Sequence, residues 1–231
     1  MPRFIINAPN VTIQPSSTSG TLTFAQISFV LQNGTFNSNG VNLFFNVPLT
    51  VSGGTFNGGS GSMTFNSGGT LTLTGGVFNA TSGTLTYNPF GSNITTDATF
   101  NPNGGTFVVN APTNFNGNAT SMNFHNLTTL ANFGMGNRIF NIAGTLNLLS
   151  SSGGNGTIQA AGDVVIGSGF TGGSGLIQFV GTGNQTYTNN GGVNPTGIWT
   201  LNKTGGTVNL ASNLDLSNAA TNFVLTNGTI T

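Results

Sequence analysis

The sequence predicts an all-β fold: a single-stranded parallel β-helix, or β-solenoid, with roughly ten coils of about 20–22 residues and three short strands per coil. Three observations lead to this prediction. A short phrase returns at a nearly fixed interval, apolar and polar residues alternate within each strand-like piece, and paired glycines separate the pieces. Such repetition is typical of architectures in which each repeat buries its apolar face only against its neighbours.

The clearest repetition is a Thr/Val-Phe-Asn triplet whose phenylalanines are 20, 22 and 22 residues apart. A second set of apolar residues, which ends at Val109, keeps the same spacings, and an asparagine follows every member of both sets. We predict that the apolar residues stack inside the coils and that the asparagines form ladders of amide hydrogen bonds from coil to coil. The predicted ladder residues are Phe36, Phe56, Phe78 and Phe100, then Phe45, Phe65 and Tyr87, with Asn37, Asn57, Asn79, Asn101, Asn46, Asn66, Asn88 and Asn110.

Alternation and glycine pairs define the strands and corners of the predicted coil. In Ser62–Phe65 and Thr84–Tyr87, every second residue is apolar, which places the large side chains on one face. Pairs such as Gly53-Gly54 and Gly75-Gly76 separate these pieces, and glycine permits the sharp turns that a coil requires. The abundance of Gly, Asn, Thr and Ser disfavours helix throughout the chain.

The repeat predicts a single domain. The interval is regular over about residues 20–116 and looser over about residues 117–231, but the same alternation and glycine corners continue. We therefore predict one continuous β-solenoid over residues 1–231. Neither end shows the polar or helical cap that protects exposed end strands, which predicts end-to-end stacking of copies or continuation of a longer array.

Charge and cysteine content narrow the range of functions. Charged residues make up 3 % of the 231 residues, against roughly 25 % in an average soluble domain. The three cations, Arg3, Arg138 and Lys203, are scattered, whereas a nucleic-acid interface needs clustered Lys and Arg. The chain has no cysteine, which excludes disulfides and thiolate metal sites. No apolar run approaches the roughly 18 residues of a membrane span.

The carboxylates and the single histidine do not form a recognisable catalytic pattern. Asp97, Asp163 and Asp215 are the only acidic residues, and at about two to three coils apart they would lie about 10–15 Å from one another. A glycosidase needs two carboxylates roughly 5–9.5 Å apart. His125 is the only histidine, so a metal site or a catalytic triad would depend on it alone. We predict a non-catalytic protein with no metal and no cofactor.

Two short segments carry a resemblance to known proteins. Residues 197–210 read Gly-Ile-Trp-Thr-Leu-Asn-Lys-Thr-Gly-Gly-Thr-Val-Asn-Leu, and residues 124–128 read Phe-His-Asn-Leu-Thr. The longer segment resembles a cassette of very long bacterial surface proteins, and the shorter segment resembles the start of a degenerate copy of that cassette. The chain as a whole is similar in style to the repetitive β-solenoids of haemagglutinins and autotransporter-passenger adhesins. This resemblance implies an extracellular or cell-surface location and a role as an adhesin, a stalk or a fibre-forming scaffold.

These observations lead to one functional expectation and one alternative. We expect a structural protein, a filament subunit or a surface stalk or adhesin, built by stacking coils and self-associating head to tail. Attached glycans are compatible with its many Asn-x-Ser/Thr sequences, whereas nucleic acid and a membrane span are not expected. The alternative is a β-helix that binds or cleaves carbohydrate, like the body of a phage tail spike.

Overall fold

The computed structural model of the chain describes residues 2–217 and 223–231. The fold is all-β, with parallel strands stacked into a β-solenoid of about 11 turns, and the predicted fold class is confirmed. The described residues form no helix of the length and hydropathy that a membrane crossing requires. The chain divides into two compact units, Met1–Ala119 and Thr120–Thr231, close to the position where the sequence repeat loosens. The continuity of one solenoid through both units stays a prediction.

The first unit contains twelve strands in its described residues. Its strands are β1 (Arg3–Ile13), β2 (Thr21–Phe24), β3 (Ser28–Asn37), β4 (Asn42–Phe45), β5 (Leu49–Asn57), β6 (Met63–Phe65), β7 (Leu71–Asn79), β8 (Thr84–Tyr87), β9 (Ser92–Thr96), β10 (Thr99–Asn101), β11 (Thr106–Val109) and β12 (Thr113–Asn116). Within this unit the strands pair in parallel with the equivalent strands of the neighbouring coils, as β3 does with β5 and β5 with β7.

The second unit contains the remaining strands of the described residues. Its strands are β13 (Ser121–Phe124), β14 (Asn126–Thr129), β15 (Phe133–Gly134), β16 (Ile139–Ile142), β17 (Leu146–Gly153), β18 (Thr157–Ala160), β19 (Val164–Gly173), β20 (Leu176–Phe179), β21 (Gln185–Asn189), β22 (Trp199–Leu210) and β23 (Phe223–Ile230). They also pair in parallel from coil to coil, as β16 does with β18 and β18 with β20.

In the first unit, two of the three predicted pieces of a coil are the arms of one bent strand. In β5, Leu49–Val51 forms one arm and Thr55–Asn57 the other, with Gly53-Gly54 at the bend. The shorter strand β6 completes the coil. Each arm alternates between buried and half-exposed residues, because successive side chains of a strand point to opposite faces. The alternation in the sequence thus corresponds to the inside and outside of the coil.

The two units differ in core composition and coil length. In the first unit, phenylalanines fill much of the interior, and neighbouring coils are offset by 20 or 22 residues. In the second unit, columns such as Leu127, Leu146 and Val164 are aliphatic. Asn123 and Asn141 are offset by 18 residues, and Gln159 and Gln178 by 19. These coils are shorter than the predicted 20–22 residues, because smaller interior side chains need a smaller ring of backbone around them.

Candidate functional site: the stacked columns

The first predicted phenylalanine column runs through four neighbouring coils. In the strand register, Phe36 lies opposite Phe56, Phe56 opposite Phe78, and Phe78 opposite Phe100. The ring centroids of successive members are 5.0, 4.9 and 5.7 Å apart, and each pair is stacked. All four rings are buried. Buried aromatic pairs add about 0.5–1.5 kcal/mol to the free energy gained from area burial alone, so this column links consecutive coils strongly.

The second column begins one coil earlier, at Phe24. Phe24 lies opposite Phe45, Phe45 opposite Phe65, and Phe65 opposite Tyr87. The first two pairs are stacked at 5.0 and 4.9 Å, whereas the Tyr87 ring is tilted by 46° against Phe65. The Tyr87 hydroxyl lies 3.0 Å from the Ser92 hydroxyl. Burial raises the pKa of Tyr87, and the hydrogen bond with Ser92 lowers it in part.

The predicted asparagine ladders lie at strand ends and corners, on the outside of the first unit. Asn79 Nδ2 donates to Asn57 Oδ1 at 2.7 Å, and Asn101 Nδ2 donates to Asn79 Oδ1 at 2.7 Å. In the other ladder, the amides bond in pairs: Asn66 Nδ2 donates to Asn46 Oδ1 at 2.6 Å, and Asn110 Nδ2 to Asn88 Oδ1 at 2.8 Å. Every bond runs from the later coil to the earlier one, so the ladders have a direction.

Asn37 departs from the ladder arrangement. Its Nδ2 donates to Gln14 Oε1 at 3.4 Å, and its Oδ1 accepts a hydrogen bond from the backbone N–H of Asn39 at 3.0 Å. The backbone at Asn39 has a positive φ of 55°, and the Asn37 side chain stabilises this tight turn. Turn capping thus takes the place of a ladder bond to Asn57, although Asn37 and Asn57 lie opposite each other in the register.

Replacing Asn79 with alanine removes two ladder bonds at once. Because each such bond contributes about 0.5–1.5 kcal/mol net, and less where water competes, we expect the free energy of unfolding to fall by about 1–2 kcal/mol in urea denaturation. Asn93→Ala is the matched control, since the exposed Asn93 side chain makes no hydrogen bond within the described residues. Equal losses in the two variants would contradict a stabilising role for the ladder.

In the second unit, one outward column changes from asparagine to glutamine. Asn141 Nδ2 donates to Asn123 Oδ1 at 2.8 Å, and Gln159 Nε2 donates to Gln178 Oε1 at 3.0 Å. These four residues occupy consecutive register positions in β13, β16, β18 and β20. Amide-to-amide bonding between coils is therefore common to both units, although the sequence repeat is less regular in the second.

The three aspartates each accept a hydrogen bond from a backbone N–H. Asp97 Oδ1 accepts from Asn118 N, Asp163 Oδ1 from Thr186 N at 2.8 Å, and Asp215 Oδ1 from Ser217 N at 2.8 Å. All three residues are exposed. Hydrogen bonds from the Ser217 side chain and backbone lower the pKa of Asp215. Each carboxylate thus fastens a corner or turn of the backbone.

His125 occupies a bend between β13 and β14 and is half-buried. Its carbonyl accepts a hydrogen bond from Gly144 N at 2.7 Å, a contact between neighbouring coils. Among the residues that the structure describes, no three His, Cys, Asp or Glu side chains form a group that could hold a metal ion.

Two cations that appear in the sequence only as scattered charges are buried. Arg138 Nη1 donates to the carbonyl of Met135 at 3.2 Å. Lys203 is 1 % exposed, and its Nζ donates to Gln185 Oε1 and to the carbonyl of Val180. The pattern in β22 contains the signal that identifies Lys203, because Trp199, Leu201 and Lys203 alternate and are all buried. Period-2 alternation would have placed all three inside.

The buried Lys203 predicts an unusual pH dependence of stability. Burial lowers the pKa of Lys203, so between that lowered pKa and the ordinary value of about 10.4 the unfolded chain binds more protons than the folded one. The contribution of Lys203 to stability therefore increases with pH in this window. The buried Tyr187 acts in the opposite direction, because burial raises its pKa and favours the folded state while the phenol is protonated.

The Lys203→Met variant isolates this contribution, since both tyrosines remain. We expect the urea midpoint of the natural chain to gain on that of Lys203→Met as the pH rises towards about 10. The measurement is a series of urea titrations of both proteins at matched pH values. Parallel pH profiles would show that Lys203 is not buried as a destabilised cation.

Two surface depressions lie near the first coils. One has a volume of about 440 Å³ and a mixed lining that includes Arg3, Gln32, Thr50 and Ser52. The other is about 350 Å³ and largely apolar, with Phe4, Phe24 and Ile27 in its wall. The polar depression offers hydrogen-bond donors and acceptors without an aromatic ring, and no aspartate or histidine lines either one.

No protein-family model, no curated protein and no solved structure matches this chain.

Proposed function

We propose that the chain is a non-catalytic structural protein of the cell exterior, a subunit of a fibre or a surface stalk or adhesin. The observation that carries this proposal is the use of polar side chains between coils. Ladder amides bond to ladder amides in neighbouring coils, and Asp163 bonds to a backbone N–H of a neighbouring coil. Side chains engaged in this way stabilise a stack and are not free for proton transfer or metal binding.

The low charge of the chain supports the same role. With 3 % charged residues, the surface is wetted by Asn, Thr, Ser and backbone groups, and copies of such a surface repel one another weakly. Parallel strand edges at the end of a stack offer unpaired N–H and C=O groups. Association of copies head to tail would extend the same sheets, and a heterologous contact of that kind gives filaments rather than closed oligomers.

The test is the assembly state of the purified chain. We expect the sedimentation coefficient to rise with concentration and electron micrographs to show thin filaments or end-to-end oligomers. The triple variant Asp97→Asn, Asp163→Asn, Asp215→Asn should assemble in the same way, since the proposal gives the carboxylates no chemical role. A strictly monomeric chain at high concentration would contradict the self-associating form of the proposal.

The carbohydrate-binding alternative depends on the polar depression near Arg3. Its Arg, Gln, Ser and Thr side chains could bond to sugar hydroxyls. Binding to a glycan array that is lost in Arg3→Ala would favour this alternative. A fall in polysaccharide viscosity that the triple aspartate variant no longer causes would favour a cleaving enzyme.

A further inference from the structure

The last strand of the chain repeats the sequence of the third. Residues 29–37 read Phe-Val-Leu-Gln-Asn-Gly-Thr-Phe-Asn, and residues 223–231 read Phe-Val-Leu-Thr-Asn-Gly-Thr-Ile-Thr, which are identical at six of nine positions. The equivalent segments of β5 and β7, residues 49–57 and 71–79, match residues 223–231 at only two and three positions. Strand β23 is therefore specifically a second version of β3.

The pairing of these two strands with their preceding partners is also the same. Phe4, Ile6, Asn7 and Thr12 of β1 lie opposite Phe29, Leu31, Asn33 and Thr35 of β3. Trp199, Leu201, Asn202 and Thr207 of β22 lie opposite Phe223, Leu225, Asn227 and Thr229 of β23. Both pairs shift register at the same two steps, around the asparagine and before the threonine. Strands β22 and β23 thus reproduce the β1–β3 pair position by position.

The two equivalent strands differ in what covers their second edge. Strand β5 pairs with β3, where Phe29, Leu31 and Phe36 lie opposite Leu49, Val51 and Phe56. Within the described residues, β23 pairs with β22 alone. As a result, Leu31 is fully buried, whereas the equivalent Leu225 is 64 % exposed. An interior leucine of the β3 pattern is here left facing solvent.

From this equivalence, we infer that the free edge of β23 is a docking surface for a coil with the sequence of β4 and β5, supplied by a second copy of this chain's repeat. In the expected register, Phe223 lies opposite Leu49 of the second copy, Leu225 opposite Val51, and Ile230 opposite Phe56. The inference rests on the proposed function, and it names the strand and the partner through which coils would continue.

The equivalence also fixes the point at which a second copy should continue the chain. Thr231 corresponds to Asn37, so the residue that follows it should correspond to Ser38. We would extend the full chain at its C-terminus with a second copy of residues 38–119, which ends at the boundary of the first unit. Strand β23 occurs once in this fusion, so its amide hydrogen exchange can be followed without ambiguity by mass spectrometry.

The matched variants are Leu225→Asp and Val224→Asp. The Leu225 position is equivalent to the buried Leu31, and the Val224 position to the half-exposed Val30. In the unextended chain both residues are exposed, so both substitutions should be tolerated. In the fusion, only Leu225→Asp would bury a carboxylate in an apolar column.

We expect the β23 amides to exchange more than about tenfold more slowly in the fusion than in the unextended chain. Leu225→Asp should remove this protection, and Val224→Asp should retain it. Unchanged exchange in the fusion, or equal effects of the two substitutions, would overturn the inference. Docking in the fusion combined with a monomeric unextended chain would retain the docking surface but reject self-assembly. Filaments of the unextended chain without docking in the fusion would do the reverse.

Discussion

Replacing Phe78 with alanine is expected to lower the free energy of unfolding by about 3–5 kcal/mol, the usual cost of removing a buried phenylalanine. Phe78 is fully buried, and its ring centroid lies 4.9 Å from that of Phe56 and 5.7 Å from that of Phe100. The substitution opens a cavity and breaks both ring contacts. The loss can be measured by urea denaturation followed by circular dichroism.

Val77→Ala is the matched control for Phe78→Ala. Val77 is the preceding residue of the same strand and is half-buried on the outer face, so its truncation should cost less than about 1 kcal/mol. Similar losses in the two variants would show that the interior column does not dominate the stability of the first unit.

The second large effect is expected at the corner glycine Gly76. Its φ is +72°, and an added Cβ would lie 2.5 Å from the carbonyl oxygen of Gly54 and 2.6 Å from the carbonyl carbon of Gly53. A side chain at positive φ costs roughly 1–2 kcal/mol, and forcing the backbones of two coils apart adds about 1–3 kcal/mol. We therefore expect Gly76→Ala to destabilise the first unit by about 2–5 kcal/mol in urea denaturation.

Gly104→Ala separates the two contributions. Gly104 has a similar φ of +78°, but no heavy atom lies within 4 Å of the position that its Cβ would occupy. This variant should therefore show only the conformational cost of about 1–2 kcal/mol. If Gly76→Ala costs no more than Gly104→Ala, close contact between corners of neighbouring coils is not what requires glycine at position 76.

The sequence was sufficient to predict the first unit in detail because each coil repeats the residues of its neighbours. The opposition of Phe36, Phe56, Phe78 and Phe100 follows from a constant coil length, since equal intervals place equivalent residues above one another. The same reasoning places Phe24 at the start of the second column and Phe115 opposite Ile94, as the strand register has them.

Other features depend on information that the repeat does not contain. The coils of 18 and 19 residues in the second unit follow no single interval, so their register depends on how tightly each aliphatic layer lets the backbone close. The charge of Lys203 argues against an interior position, although the alternation of β22 places it there. The hydrogen bonds of Asn37 to Gln14 and to its own turn do not follow from the repeat, because local capping competes with the ladder.

Disulfide formation between engineered cysteines tests the stacked register most directly, because the natural chain contains no cysteine. Thr64 and Thr86 lie opposite each other on β6 and β8, with their Cα atoms at the interstrand spacing of about 4.8 Å, within the range that a disulfide can bridge. Thr64 and Thr84 are diagonal neighbours about 7–8 Å apart. We predict that Thr64→Cys/Thr86→Cys cross-links rapidly under mild oxidation and that Thr64→Cys/Thr84→Cys does not. Preferential cross-linking of the diagonal pair, or none in the opposed pair, would contradict the stacking of equivalent residues in neighbouring coils.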